Sequence, residues 1–129
     1  MIRTVADVMA VDLVTFHPDT PIFEAIRTLL DRRISGAPVV DSDHNLVGIL
    51  SRKDCLRIAF VAGYHHDGGG WVRDFMVTDV KTMEADTDLI SAAQIFLDSH
   101  FRRFPVMRDG RLVGQVSRHD ILNALTAEI

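Results

Sequence analysis

Leu46-Val47-Gly48-Ile49-Leu50-Ser51-Arg52-Lys53-Asp54 decides the fold, because it returns as Leu112-Val113-Gly114-Gln115-Val116-Ser117-Arg118-His119-Asp120. An apolar run that ends in serine, with an acid three residues on, predicts a strand turning directly into a helix. Working outward, Val5-Ala6-Asp7-Val8-Met9 faces Val72-Arg73-Asp74-Phe75-Met76, Thr15 faces Thr82, and Asp19-Thr20 faces Asp86-Thr87. Ala25 faces Ala92, Leu30-Asp31 faces Leu97-Asp98, and Pro38-Val39 faces Pro105-Val106. The offset of about 67 residues exceeds the short solenoid periods, so the chain holds two copies of one small unit. Any binding site is therefore expected twice, or at a seam. One residue drops out of the second copy where Asp41-Ser42-Asp43-His44-Asn45 gives way to Arg108-Asp109-Gly110-Arg111, polar turn sequences in which a length change costs little.

Each copy predicts the order β-α-β-β-α, an α+β class. Short Val/Thr-rich stretches (13–16 and 80–83) lead to Asp-Thr, and Thr20 with Pro21 has the chemistry of an N-cap and first helical residue. Ile22, Ala25, Ile26, Leu29 and Leu30, and in the other copy Leu89, Ala92, Ala93, Phe96 and Leu97, form one helical face. Pro38 and Pro105 open short strands, and a polar turn leads to the strand that ends in Ser51 or Ser117. The last helix of each copy is expected to bury Leu56, Ala59 and Phe60, or Ile121, Leu122 and Leu125. Gly68-Gly69-Gly70 breaks regular structure, giving a first copy at 1–66, a linker at 67–70 and a second copy at 71–129.

At 129 residues the whole chain suffices for a sizeable core while each half alone is marginal, so the halves should pack together. A formal net charge of −4 argues against nonspecific nucleic-acid binding, which needs a basic face. No apolar run approaches the roughly 20 residues of a membrane span, and Met1-Ile2-Arg3 opens no signal-peptide core, so a cytoplasmic protein is expected. The single cysteine, Cys55, excludes an internal disulfide and sits in an apolar helical pattern, as a small core residue does. His65-His66-Asp67 beside glycines lacks the fixed geometry a metal needs, and His17, His44 and His100 are scattered; no metal site is expected. Neither a Ser/His/Asp order, nor paired catalytic carboxylates, nor a P-loop stands at usable spacing, so no enzyme is expected.

The repeated Ser-x-x-Asp serves first as a capping box, each side chain meeting an orphan N–H at the helix start. Its context adds a second use. A helix N-terminus attracts an anion, the serine offers a hydroxyl, and a carboxylate such as Asp54 or Asp120 can accept from both hydroxyls of a ribose.

At these residues the chain resembles the CBS domains, named after cystathionine β-synthase. Gly48 to Asp54 and Gly114 to Asp120 look like the family's ligand motif, the two Val-x-Asp-x-Met segments resemble its opening, and Ile34-Ser35-Gly36-Ala37-Pro38-Val39-Val40 and Phe101-Arg102-Arg103-Phe104-Pro105-Val106-Met107 resemble its middle. The resemblance implies a tandem pair packed with pseudo-two-fold symmetry, often a homodimer, with clefts between the repeats for AMP, ATP or S-adenosylmethionine as a regulatory ligand and no required cofactor. Carried over, Asp54 and Asp120 would hold ribose hydroxyls, with Ser51 and Ser117 beside them and Thr15 and Thr82 lining the same clefts. Backbone around Ala37 and Phe104 would meet adenine, and Lys53, Arg118 and His119 would face phosphate. The second copy departs where Glu84 replaces His17 and Arg102-Arg103 replaces Ser35-Gly36, so the clefts should differ in ligand or occupancy. The expected function is a non-catalytic sensor acting on a protein partner the sequence does not name; the alternative is a dimerising scaffold whose motifs serve only as caps.

Overall fold

The structure, a computed structural model, describes residues 3–65 and 69–127. In chain order the elements are α1 (Val5–Val8), α2 (Ile22–Arg32), β1 (Gly36–Val40), β2 (Leu46–Ser51), α3 (Arg52–His65), α4 (Val72–Phe75), β3 (Met83–Glu84), α5 (Leu89–Leu97), β4 (Arg103–Arg108), β5 (Arg111–Ser117) and α6 (Arg118–Thr126). They form two compact units, one of Val14–Val80 and one of Met1–Leu13 with Lys81–Ile129. These are called below the Ser51 unit and the Ser117 unit. Each unit takes its opening helix from the other sequence copy.

That exchange is written into both cores. Val72 is fully buried among Phe16, Ile22, Leu29, Val39 and Leu50, whereas Val5 is fully buried among Met83, Leu89, Phe96, Val106 and Val116. Each opening helix is a single turn held by an N3 carboxylate: Asp7 accepts from the Thr4 N–H at 2.8 Å and Asp74 from the Trp71 N–H at 2.9 Å. The chain then lies along the strand of the repeated motif, with Ala10 exchanging backbone bonds with Gln115 (2.8 and 2.9 Å) and Val77 with Ile49 (2.9 and 2.9 Å). Gly114 and Gly48 are glycine for this reason. A Cβ would stand 2.5 Å from the Met9 sulfur and 2.8 Å from the Ala10 carbonyl in one unit, and 2.7 Å from the Met76 sulfur and 2.9 Å from the Val77 carbonyl in the other.

In the Ser117 unit β3, β4 and β5 make a three-stranded sheet, β3 parallel and β5 antiparallel to β4. In the Ser51 unit β1 and β2 pair antiparallel and the place of β3 is taken by a bridge from Phe16 to Val39. The expected strands at 13–16 and 80–83 are thus cut to a residue or two, and the prolines explain why. Phe16 donates to the Pro38 carbonyl at 2.9 Å, but Pro38 has no N–H to give back upstream, so the ladder stops there. Thr15 and Thr82 are left just outside the sheet. The hairpin turns differ as the gap implied: Asp109 (φ 52°) and Gly110 (φ 77°) make a tight two-residue turn, while Asp41 accepts from the Asp43 and Asn45 N–H groups, both at 2.9 Å, to shape the longer one.

Two expectations need correction. Thr20 does not cap α2: its hydroxyl accepts from the His17 N–H at 3.1 Å inside the preceding turn, and Pro21 is the N-cap. On α3 the buried position is Cys55 rather than Leu56, Ala59 and Phe60, and on α6 Ile121 is buried as expected while Ala124 takes the place of Leu122. Leu56, Phe60 and Leu122 are 72%, 73% and 64% exposed, as Leu30 and Leu97 are on the preceding helices at 49% and 80%. Helix periodicity alone could not choose, because both faces of these helices are apolar. Helix α3 runs through Gly63 to His65, since one glycine inside a running helix costs only about 1 kcal/mol. His66, Asp67 and Gly68, in the linker and the histidine pair, lie outside the described residues.

Candidate functional site

In each unit the singled-out residues collect at one end of the sheet. Gly36 pairs with Ser51 and Arg103 with Ser117, so the start of the middle strand, the end of the last strand and the start of the last helix meet. The junction is pinned by the first helical N–H: Arg52 donates to the Ser35 carbonyl at 2.8 Å and Arg118 to the Arg102 carbonyl at 3.0 Å. The bridge from Phe16 to Val39, and the matching pair Met83 and Val106, set exposed Thr15 and Thr82 level with the prolines on the neighbouring edge.

The full capping box forms at Ser117, and at Ser51 the serine half of it forms. Asp120 N–H donates to the Ser117 hydroxyl at 3.1 Å while the Asp120 carboxylate accepts from the Ser117 N–H at 2.9 Å. In the other unit Asp54 N–H donates to the Ser51 hydroxyl at 3.2 Å, and that hydroxyl donates to the Asp54 carboxylate at 2.7 Å. Both serines and both aspartates are half-buried. Each carboxylate has more acceptor capacity than its cap uses, so it can accept further bonds without leaving the helix start.

Ala37 and the Phe104 side chain belong to the core, 2% and 4% exposed, and the Phe104 ring packs on Phe96 with centroids 5.0 Å apart. What this edge offers a ligand is backbone. The polar groups of a strand alternate between its two edges, and Pro38 turns its carbonyl toward Phe16, so Gly36, and by the same register Arg103, turn theirs to that edge too. They lie one step beyond the point where the missing proline N–H stops the ladder, and no backbone partner among the described residues takes them up.

The cations are distributed unevenly. Lys53 and His119, at the second position of their helices, are exposed. Arg118 is drawn elsewhere: its guanidinium donates to the Ser99 carbonyl at 3.3 Å and lines a groove between α5 and α6. Arg102, Arg103 and Glu84 are exposed in the Ser117 unit, where the other unit has Ser35, Gly36 and half-buried His17. His17 is held by its neighbours, Nδ1 accepting from the Asp19 N–H at 3.0 Å and Nε2 lying 3.2 Å from the Ser42 hydroxyl.

A second surface was not foreseen. Each unit carries an apolar groove between its two long helices, of about 410 Å³ along Leu97, Ile121, Leu122 and Leu125 and about 320 Å³ along Leu30, Cys55, Leu56 and Ala59. The exposed leucines that departed from the expected stripes are its rims. Among the described residues no group of histidines, cysteines and acids could hold a metal ion, and no helix is long and apolar enough to cross a membrane.

A duplicated α+β unit with a Ser-x-x-Asp helix start at each sheet end defines a tandem module of one known class. The CBS domain family matches at residues 5–60 and 72–127, and the chain belongs to that family, with two domains in tandem. Among curated relatives it is 31% identical over 139 residues to the chloroplastic CBS domain-containing protein CBSX1 of Arabidopsis thaliana, spanning 88% of this chain and 59% of that protein. It therefore covers little more than half of that relative's length. Among solved structures, CBSX2 in complex with AMP superposes with a TM-score of 0.82 at 30% identity over 97% of each chain. The CBS domain pair of MJ0100, in complex with 5′-methylthioadenosine and S-adenosyl-L-methionine, superposes with a TM-score of 0.78 at 25% identity over the whole of both chains.

Proposed function

We propose that this CBS pair is a non-catalytic sensor that holds an adenosine-containing ligand, AMP, ATP or S-adenosylmethionine, at the Ser-x-x-Asp ends of its units. One observation carries the reading: threonine, serine, aspartate and an unpartnered strand edge converge in both units on the same register. CBSX2 with AMP and MJ0100 with two adenosyl compounds support the ligand class. Asp54 and Asp120 would accept from ribose hydroxyls, Ser51 and Ser117 would turn their hydroxyls to the ligand, and Thr15 and Thr82 would close the site from the neighbouring edge. The base would meet backbone at Gly36-Ala37 and Arg103-Phe104. Lys53 would face phosphate in one unit, and His119 with Arg102 and Arg103 in the other, while Arg118, tied to Ser99, would have to leave its groove to do so. Glu84 opposes phosphate in the Ser117 unit, so the two sites are expected to prefer different ligand charge.

The duplicated apolar grooves favour a homodimer as the sensing unit, since exposed leucines at matching positions of both repeats give a self-complementary surface. A reducing, cytoplasmic setting belongs to the same proposal and suits the buried free thiol of Cys55. A thermal-shift panel of AMP, ATP, S-adenosylmethionine and NAD tests the sensor: a ligand at about 100 times its dissociation constant adds about 2.7 kcal/mol. If none raises the melting temperature while sedimentation shows a dimer that Leu97→Glu dissociates, the dimerising scaffold is the right reading.

A further inference from the structure

In the Ser51 unit the turn at 16–20 holds α4 by its carbonyls and is itself braced by a histidine. The Val72 N–H donates to the Thr20 carbonyl and the Arg73 N–H to the Pro18 carbonyl, both at 2.9 Å, and the Arg73 guanidinium makes an ion pair with the Asp19 carboxylate between them. His17 Nδ1 accepts the Asp19 N–H at 3.0 Å. Because a backbone N–H only donates, that nitrogen carries no proton; the proton of the neutral ring sits on Nε2, 3.2 Å from the Ser42 hydroxyl. The bond to Asp19 therefore exists only while His17 is neutral. The matching turn of the Ser117 unit holds α1 in the same way, the Val5 N–H on the Thr87 carbonyl at 2.8 Å and the Ala6 N–H on the Ala85 carbonyl at 3.0 Å. There Glu84 stands in place of His17 and Ala6 in place of Arg73, so only one unit has the titrating brace.

We propose that protonation of His17 is a switch that loosens α4 within the Ser51 unit. A proton taken from solvent onto Nδ1 sets two donors against each other where one hydrogen bond stood. The ring then turns to an acceptor within reach, the Asp19 carboxylate, whose Oδ2 lies 3.8 Å from Nδ1 and whose Oδ1 is held by Arg73. His17 and Arg73 now compete for one exposed carboxylate, and the turn that presents the Pro18 and Thr20 carbonyls to α4 loses its brace. The remaining charged groups on this side belong to the β1–β2 hairpin: Asp41, with exposed Asp43 and His44 on the same loop. The Asn45 N–H first of all, and also the nearness of His17, hold the Asp41 carboxyl below the usual carboxylate range. Asp41 is already engaged by the Asp43 and Asn45 N–H groups, both at 2.9 Å, and by the Asn45 side chain at 3.2 Å.

The test needs no ligand. Amide hydrogen exchange of the full chain is measured at about pH 7.5 and about pH 5.5, either side of the middle of the range in which histidine changes charge, each rate taken relative to the unfolded chain's at the same pH. The proposal expects protection at Val72 and Arg73 to fall about two- to fivefold at the lower pH, the equilibrium worth of an exposed ion pair, while Val5 and Ala6 keep theirs. An equal fall in both units, or none at Val72 and Arg73, overturns it. His17→Asn offers the Asp19 N–H a side-chain carbonyl that takes no proton, and should remove the fall, while His44→Asn should keep it. His17→Gln, a second replacement that does not titrate, covers the case that His17→Asn fails to fold. A fall that survives the loss of His17, or vanishes with His44→Asn, assigns the effect to another group and overturns the proposal.

Discussion

Val72→Ala tests the exchanged cores most sharply, because by sequence Val72 belongs to the second copy while in space it is buried in the Ser51 unit. The side chain is fully buried, so truncation removes two methyl groups at about 0.8 kcal/mol each and leaves a cavity that the neighbouring Leu29, Val39 and Leu50 fill only in part. The expected loss is about 2–3 kcal/mol in urea unfolding, a large fraction of the stability of a domain this size. Native-state hydrogen exchange assigns that loss to a unit: protection should fall first at Val39, Val40 and Leu50, with Val106 and Val116 retaining most of theirs. Val5→Ala should give the mirror result. A larger loss of protection at Val106 and Val116 in the Val72 variant would refute the exchange.

Asp88 caps α5, and its bonds from the Ser91 N–H at 2.8 Å and then the Ser91 hydroxyl at 2.9 Å hold its carboxyl below the usual carboxylate range. A folded-state value below the unfolded one gives stability that is fully present above about pH 4 and lost as pH falls through the folded value. Asp88→Ala should therefore lower the melting temperature at neutral pH, with the gap to wild type closing on acidification below about pH 4; a gap that stays constant would contradict this. Cys55 is 4% exposed, and burial, with Asp54 beside it, pushes its thiol up from the ordinary value. The folded protein should resist iodoacetamide at neutral pH until urea unfolds it, and rapid stoichiometric labelling of the folded form would count against the buried placement.

Much of this could be read along the chain, for identifiable reasons. The duplicated Ser-x-x-Asp is a local device: four consecutive residues set its geometry, so its helix starts at Arg52 and Arg118 and its caps came out as the motif implied. The exchange of opening helices could not be read, since both copies carry the same Met and the same Gly, and the pattern is satisfied whether Met76 seats on Gly48 or on Gly114. Only the repeated pairing of Met with Gly hinted that some close approach was needed. The short first strands were missed although the signal was present, in the missing N–H of Pro38 and Pro105. Exposed leucines were misassigned because α3 and α6 carry apolar residues on adjacent stripes, and which stripe faces the sheet is settled by tertiary packing. Arg118 shows the same limit for the site: its place in the motif puts it beside Ser117, while its side chain finds the Ser99 carbonyl instead.

The central claim is that the repeated aspartates hold a ligand as well as a helix start. Calorimetric titration of AMP into wild type, Asp54→Ala and Asp120→Ala tests it most directly. The account predicts saturable binding to wild type and, in at least one variant, a loss of about tenfold or more in affinity, as removing a hydrogen bond to a charged group should cause. Equal binding by all three proteins would contradict it.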